Sequence, residues 1–440
     1  MKRVFYVLAL FCWACAGISQ YSVNDIEDID GISVSKSTAK PINGMVHVFY
    51  ESGALQYETP YKDGLREGVA KGYYIDGILQ SEMPYKGGVL DGVTKTYYEN
   101  GLIGQEIPYK NDLIDGTARE YLEDGTLLYE KPHKGGLFDG LVKIYYESGS
   151  LQSEMPYKSN ILEGAAKIYY EDGTLQSETF YANGLLEGIA KTYYNSAALR
   201  YEATYKNNKV EGIVKEYYEN GKLLSETPYK NGLREGTAKE YGENGKLQFS
   251  TPYKNDLQDG VAKDYYDNGK LRFEAPYRKD LLNGLVKSYD EKGKIEISRL
   301  YKNGEFVRIE EGVEKIYYND DNSTLQAEIT YKKGKREGLI KTYYENGKVQ
   351  VEGSFKDDLL EGRIKEYYES GKLYQEYIYL KGVQEGTMQS FSENGRLHSD
   401  IIYKADKPIS GKCGNGRILT AKELRNWANG LRISCGLGKR

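Results

Sequence analysis

A chain of 440 residues whose 65 acidic and 60 basic side chains are interleaved, with net charge −5, carries no basic face of the kind that tracks a nucleic-acid backbone. Tyrosine (44) and glycine (50) are both abundant, which argues against one large aliphatic core and for small parcels of buried rings repeated along the chain. The three histidines, His47, His133 and His398, lie too far apart for a histidine metal site or a catalytic triad.

In chain order, Lys2-Arg3, the apolar run Val4–Trp13 and the small residues Ala14-Cys15-Ala16 read as a secretory signal peptide over residues 1–16. The apolar run is too short to span a bilayer. Export to the periplasm, cell surface or medium is therefore expected, with lipid anchoring through Cys15 as an open variant. Residues 17–43, with an acidic patch at Asp25, Glu27, Asp28 and Asp30 followed by Ser/Thr/Lys-rich sequence, read as a flexible leader.

From residue 44 a single pattern takes over. A glycine recurs every 24 residues from Gly44 to Gly284 and then, more loosely, at Gly312, Gly338, Gly362 and Gly386, marking fifteen repeats over 44–408. Each repeat has an aromatic five residues after the glycine (Phe49 to Phe391) and usually a second tyrosine at six. A turn such as Glu219-Asn220-Gly221 follows, then a leucine and a closing aromatic such as Tyr229. Asn-Gly and Asp-Gly between β-rich runs signal hairpins, because these residues tolerate the positive φ that tight turns need. The longer second turn, as in Lys230-Asn231-Gly232, leads into the next hairpin.

Register stays open between two readings. A two-residue Asn-Gly loop sets Lys215 opposite Glu226 and Gly212 opposite Tyr229, and the recurring Lys/Glu pairs favour it, at about 0.2–1 kcal/mol each. A three-residue loop with Gly221 as a bulge sets Tyr217 opposite Leu223, which the recurring aromatics and aliphatics favour. The prolines before the closing aromatic (Pro60, Pro84, Pro108, Pro132, Pro156, Pro228, Pro252, Pro276) cannot donate to a neighbouring strand, so the ladder is expected to break or bulge there.

The motif Tyr217-Tyr218-Glu219-Asn220-Gly221-Lys222-Leu223-x-x-Glu226, followed by Tyr229-Lys230-Asn231-Gly232-x-x-x-Gly236, resembles the MORN repeat variant of bacterial proteins, including antitoxin-like members. The resemblance spans about four-fifths of the chain. It implies an all-β fold, an elongated single-layer antiparallel β-meander of tandem 24-residue hairpins. It also implies a recognition or scaffolding role, with no catalytic residues to carry over. Departures are local: Asp290 and Ser392 replace the second tyrosine, and Ala197-Ala198 replaces a turn glycine.

Insertions around Glu305 to Glu310 and Asp320 to Ser323 read as projecting loops or a bend. The tail, 409–440, reads as a small cap. Thr420-Ala421-Lys422-Glu423 is a capping box, Leu424, Trp427 and Leu431 share a face, and Gly430 ends the helix. Cys413 and Cys435 are read as a disulfide in an exported protein.

No motif points to an enzyme or a cofactor. The acids before the opening glycines (Glu67, Asp91, Asp115, Asp139, Glu163, Glu187, Glu211) do not match a nonapeptide calcium repeat and read as solvated turns. Alternation places one tyrosine column on each sheet face. The second tyrosines Tyr146, Tyr170, Tyr194, Tyr218 and Tyr266 then form a candidate binding strip, against the alternative that they merely pack under long Lys and Gln side chains. The leading functional reading is an exported scaffold that binds a protein partner through an extended β surface. The alternatives are a carbohydrate or cell-wall binder with aromatic platforms, and a toxin-neutralising factor.

Overall fold

The structure is a computed structural model that describes residues 19–318, 323–431 and 433–435; the signal-peptide segment 1–16 lies outside the described residues. The chain forms two compact parts, Met1–Leu233 and Arg234–Arg440, built from the same repeat. In the repeat opening at Gly140, a six-residue strand Gly140–Tyr145 pairs with an eight-residue strand Leu151–Lys158, which pairs in turn with a two-residue strand Ile161–Leu162. The next repeat adds its first strand to the same ladder, Glu154 facing Lys167. Each part is thus a β-meander of chain neighbours.

Both expected registers hold at once. Gly212 faces Tyr229 and Lys215 faces Glu226, yet Tyr217 faces Leu223, with the register shift between Glu216 and Tyr217. Leu224 is the extra residue, so a bulge converts one register into the other. The first turn is the three-residue one: Tyr218 N–H donates to Lys222 O (2.8 Å), Gly221 takes φ +81°, and the Asn220 side chain accepts from Lys222 N–H at 3.0 Å. The tight two-residue turn is the second one instead. Asn231 and Gly232 have φ +53° and +85°, the two positive values a type I′ turn requires.

The prolines bulge the ladder on one side only. Within the hairpin Pro84 pairs with Val69 in unbroken register, whereas on its other side the chain bows out and only Asp91 N–H reaches Pro84 O, at 3.1 Å. Gly92 follows at φ +129°, and a Cβ there would lie 2.8 Å from Pro84 Cγ. Positive φ and the ring together demand glycine. At the first insertion the chain runs as one strand, Glu305–Tyr317, paired with Ile295–Lys302 through two small shifts, so it forms no projecting loop. Residues 319–322 of the second insertion lie outside the described residues.

Residues 19–42, expected as a flexible leader, are built into the sheet edge. Ser19–Ser22 pairs in parallel with Gly44–His47, and a hairpin of Ile26–Ile29 and Ile32–Ser35 follows. Ile42 is fully buried, and the Gly64 turn bonds the hairpin through Ser33 N–H to Gly64 O and Gly64 N–H to Ile42 O. Burial of Val34 and Ile42 outweighs the polar composition that suggested a free segment.

At the other end, the strand Lys407–Cys413 is followed by Ile418, which bridges back to Lys412, and by the helix Ala421–Ala428. Thr420 and Glu423 form the expected capping box. Met388, Ile401, Tyr403, Cys413, Leu419, Leu424 and Ile433 make a buried cluster, with Trp427 packed against it; Leu431 is 56% exposed. Cys413 and Cys435 are joined.

Two outcomes follow from this construction. Because each repeat touches only its neighbours, stability is close to a sum over repeats and interfaces. Deleting residues 140–187, two whole repeats, should leave a folded protein with β-sheet circular dichroism; loss of cooperative unfolding would contradict the sum. The disulfide closes a separation of 22 residues, worth about 3 kcal/mol on a chain-entropy model. Non-reducing mass spectrometry should find the pair joined, and Cys435→Ser should lower the unfolding temperature of the cap.

Candidate functional site

A sheet one layer thick cannot bury its side chains against a second sheet, so the repeats are fastened by ladders that run from one to the next. In the first ladder the second tyrosine donates to the carbonyl of the next repeat's first aromatic: Tyr146 to Tyr169 O (2.8 Å), Tyr170 to Tyr193 O (2.9 Å), Tyr194 to Tyr217 O (2.8 Å) and Tyr266 to Tyr289 O (2.6 Å). These four and Tyr218 are all half-buried. The bulge residue of the same repeat lies over the ring. Arg200 sits 5.7 Å from the Tyr194 centroid, Arg272 6.0 Å from that of Tyr266, and the Tyr374 ring packs 4.9 Å from Tyr368. The structure therefore places the strip in the joints of the array.

The first tyrosines form a second ladder on the opposite face. Tyr97 donates to Glu82 (3.0 Å), Tyr145 to Glu130 (3.0 Å), Tyr169 to Glu154 (3.0 Å) and Tyr367 to Glu352 (2.6 Å). Cross-strand cations meet the same carboxylates, as in Arg119–Glu130 at 3.0 Å and Lys95–Glu106 at 3.3 Å. Desolvation first, and then the hydrogen bond to the glutamate, push Tyr97, Tyr145, Tyr169 and Tyr367 up to about 12. A third ladder stacks the closing aromatics. Arg66 covers Tyr85 at 5.1 Å and Arg234 covers Tyr253 at 3.9 Å, while Phe138 lies between His133 (4.6 Å) and Tyr157 (5.5 Å).

The acids before the opening glycines do more than face solvent. Glu67, Glu163, Glu187 and Glu211 accept the N–H of Gly87, Asn183, Asn207 and Asn231 in the next repeat's second turn, at 2.7–2.9 Å. Their spacing suits a turn clamp. Among the described residues no group of three or more His, Cys, Asp or Glu is placed to hold a metal ion.

A family model described as "MORN repeat variant" matches thirteen segments: 43–63, 66–86, 90–111, 138–159, 162–183, 186–207, 210–231, 234–255, 258–279, 282–303, 336–357, 360–381 and 384–405. The chain belongs to the MORN repeat variant family. No curated protein matches it. Solved structures that resemble it include TcdB2-TccC3-Cdc42 (10% identity, 85% of this chain and 26% of that one, TM-score 0.15) and TcdB2-TccC3 (13%, 77%, 20%, 0.14). Another is the Photorhabdus luminescens Tc holotoxin pore (12%, 84%, 22%, 0.14). The chain spans about a quarter of the length of these chains, and nothing about it follows from so slight a likeness.

The two MORN-variant repeats that the family model passes over, opening at Gly116 and Gly312, pair as the others do. Most of the large apolar side chains that the array leaves uncovered are aliphatic. One residue after the opening glycine, Val69, Val93, Leu141, Ile189 and Ile213 in the first part, and Val261, Leu285, Val313 and Leu339 in the second, are 39–64% exposed. Each lies on the lysine–glutamate face by strand alternation, and most pair with the prolines, as Ile213 does with Pro228. A parallel column of second-turn residues, including Leu113, Leu137, Ile161 and Leu281, is also exposed on this face. Sequence reasoning missed this stripe by weighing the tyrosines alone; its signal was the aliphatic next to most of the opening glycines.

The opposite face carries two open clefts of about 440 and 510 Å³ in the first part. They use the same repeat positions four repeats apart: Tyr74, Gln80, Ser81, Thr96 and Tyr98 in one, Tyr170, Gln176, Ser177, Thr192 and Tyr194 in the other.

The tyrosine–glutamate ladder sets an alkaline limit. An unfolded tyrosine loses its proton near 10.0, the laddered ones near 12. Between those values the folded state binds more protons, so stability falls with rising pH. The contribution is complete below pH 10 and lost as pH passes through 12. Tyrosinate absorbance should rise together with loss of β-sheet circular dichroism in that window; smooth ionisation near pH 10 with the sheet intact would contradict the ladder.

Proposed function

We propose that this protein is an exported, non-catalytic scaffold that binds a protein partner through the aliphatic stripe on the lysine–glutamate face. The observation that carries the reading is the stripe itself. Contiguous exposed apolar surface on a soluble face marks an interaction site. Here it recurs at one position in nine of the fifteen repeats and is bordered by lysines and glutamates, the apolar centre and polar rim of a protein interface. Export is supported by the basic-apolar-small start of the sequence and by the Cys413–Cys435 bond, which suits an oxidising compartment. Among the described residues no helix is long and apolar enough to cross a membrane.

A scaffold reading also accounts for where the ionisable side chains are spent. Tyr97, Tyr145 and Tyr169, pushed up to about 12, are occupied by glutamates of the preceding repeat, and the turn acids by main-chain N–H groups. Binding would occur on a surface that the ladders hold rigid, which lowers the entropy lost on association. The tyrosine strip serves this role as a set of joints.

Threonine already occupies the stripe position at Thr117 and Thr387, so the triple variant Leu141→Thr, Ile189→Thr, Ile213→Thr should fold normally. It should lose a partner cross-linked from the envelope fraction by the parent protein. The triple variant Tyr170→Ser, Tyr194→Ser, Tyr218→Ser should instead lower the unfolding temperature, each lost hydrogen bond contributing about 0.5–1.5 kcal/mol. If the threonine variant captures the same proteins as the parent, the stripe is not the site.

A further inference from the structure

The penultimate repeat departs from the array's own pattern at two positions that meet the cap. The bulge position, glutamine at Gln80, Gln152, Gln176, Gln248 and Gln350, is Tyr374. Two residues before the closing aromatic, where Thr179, Ala203, Thr227 and Ala275 stand in earlier repeats, the chain has Tyr377. The cap helix brings Trp427 to the same place. These rings, with Tyr379 and Tyr403, line an open cleft of about 460 Å³, a volume typical of small-molecule sites. Departures from a local rule that converge in space are where function is to be sought.

The polar groups of the cleft are neutral. Trp427 Nε1–H donates to Tyr403 Oη at 2.7 Å, and Tyr377 meets Tyr379 edge to face at 5.8 Å, which fixes the rings. Gln375 and Gln384 are its amides. Tyr374 and Tyr379 hydroxyls and the Gln384 side chain make no hydrogen bond within the protein among the described residues. No Lys, Arg, Asp or Glu is among the lining residues. Two carboxylates border it: Glu366 is engaged by Tyr377 Oη (2.5 Å) and Gln375 Nε2 (2.7 Å), and Asp406 accepts the Gln384 main-chain N–H at 2.7 Å. An anion would find no cation here, and a quaternary ammonium would find rings but no free carboxylate.

We propose that this cleft binds a neutral pyranose unit of a glycan. The apolar face of a sugar ring stacks on aromatic faces, while its hydroxyls exchange hydrogen bonds with phenols and amides that have none in the free protein. The site is separate from the stripe, and it stands whether or not a protein partner docks there.

Trp13 and Trp427 are the only tryptophans, so in a Trp13→Phe chain the emission reports the cleft alone. Cellohexaose, maltohexaose and N-acetylchitohexaose are the probes, and at least one should change that emission saturably at millimolar concentration or below. Tyr374→Gln restores the array's common residue and Gln384→Leu reproduces Leu360 of the preceding repeat, so both should keep the parent circular dichroism. Each should weaken binding about tenfold or more. Silence from all three oligosaccharides would overturn the proposal, as would a Tyr374→Gln variant that titrates like the parent. A saturable response to tetramethylammonium with the sugars silent would assign the cleft to cations instead.

Discussion

The structure depends on the hydroxyl of one tyrosine reaching the main chain of the next repeat. With no second layer to press against, each hairpin has little to bury, and three or more strands with some buried face are needed for independent stability. The bond from Tyr170 to Tyr193 O, repeated from Tyr50 to Tyr368, ties turns 23 residues apart. The glutamate ladder does the same from the other face. Individually such contacts are modest. Their effect comes from repetition, since most repeats are both donor and acceptor to their neighbours.

The second constraint is the junction between hairpins. A proline at the end of the long strand removes a donor, so the incoming chain must bow outward there, and only glycine can take the resulting φ next to the proline ring. Where Thr204 replaces the proline, the incoming chain is one strand, Lys209–Tyr217, with a register shift between Glu202 and Thr204, whereas Phe180, Ser354 and Ile378 keep the break and accept the N–H of Glu187, Glu361 and Glu385 as the prolines do. At Glu305–Tyr317 four extra residues are absorbed as strand, through register shifts at Ser298/Arg299 and Leu300/Tyr301.

Open β edges invite association, and the chain closes both of its own. Ser19–Ser22 covers the first hairpin in parallel, and the return of residues 417–419 covers the last strand before the helix packs over its face. Closing the edges leaves the faces as the available surface, with aliphatics on one and tyrosine-lined clefts on the other.

The amino-acid sequence alone determined the repeat, its period, the hairpins, the capped helix and the cysteine pairing, because each rests on short-range chemistry: turn residues, strand alternation and a capping box. It left register undecided, since charge pairing and aromatic pairing pointed to different loops and a bulge at Leu224 satisfies both. It misjudged residues 19–42, whose polar composition says nothing of the hydrogen bonds that the Gly64 turn offers to Ser33. What each tyrosine column bonds to, which aliphatics stay bare and where Tyr374, Tyr377 and Trp427 meet are questions of neighbours 15 to more than 50 residues apart. Only the tertiary structure decided them, because the partner that occupies a side chain lies in another repeat.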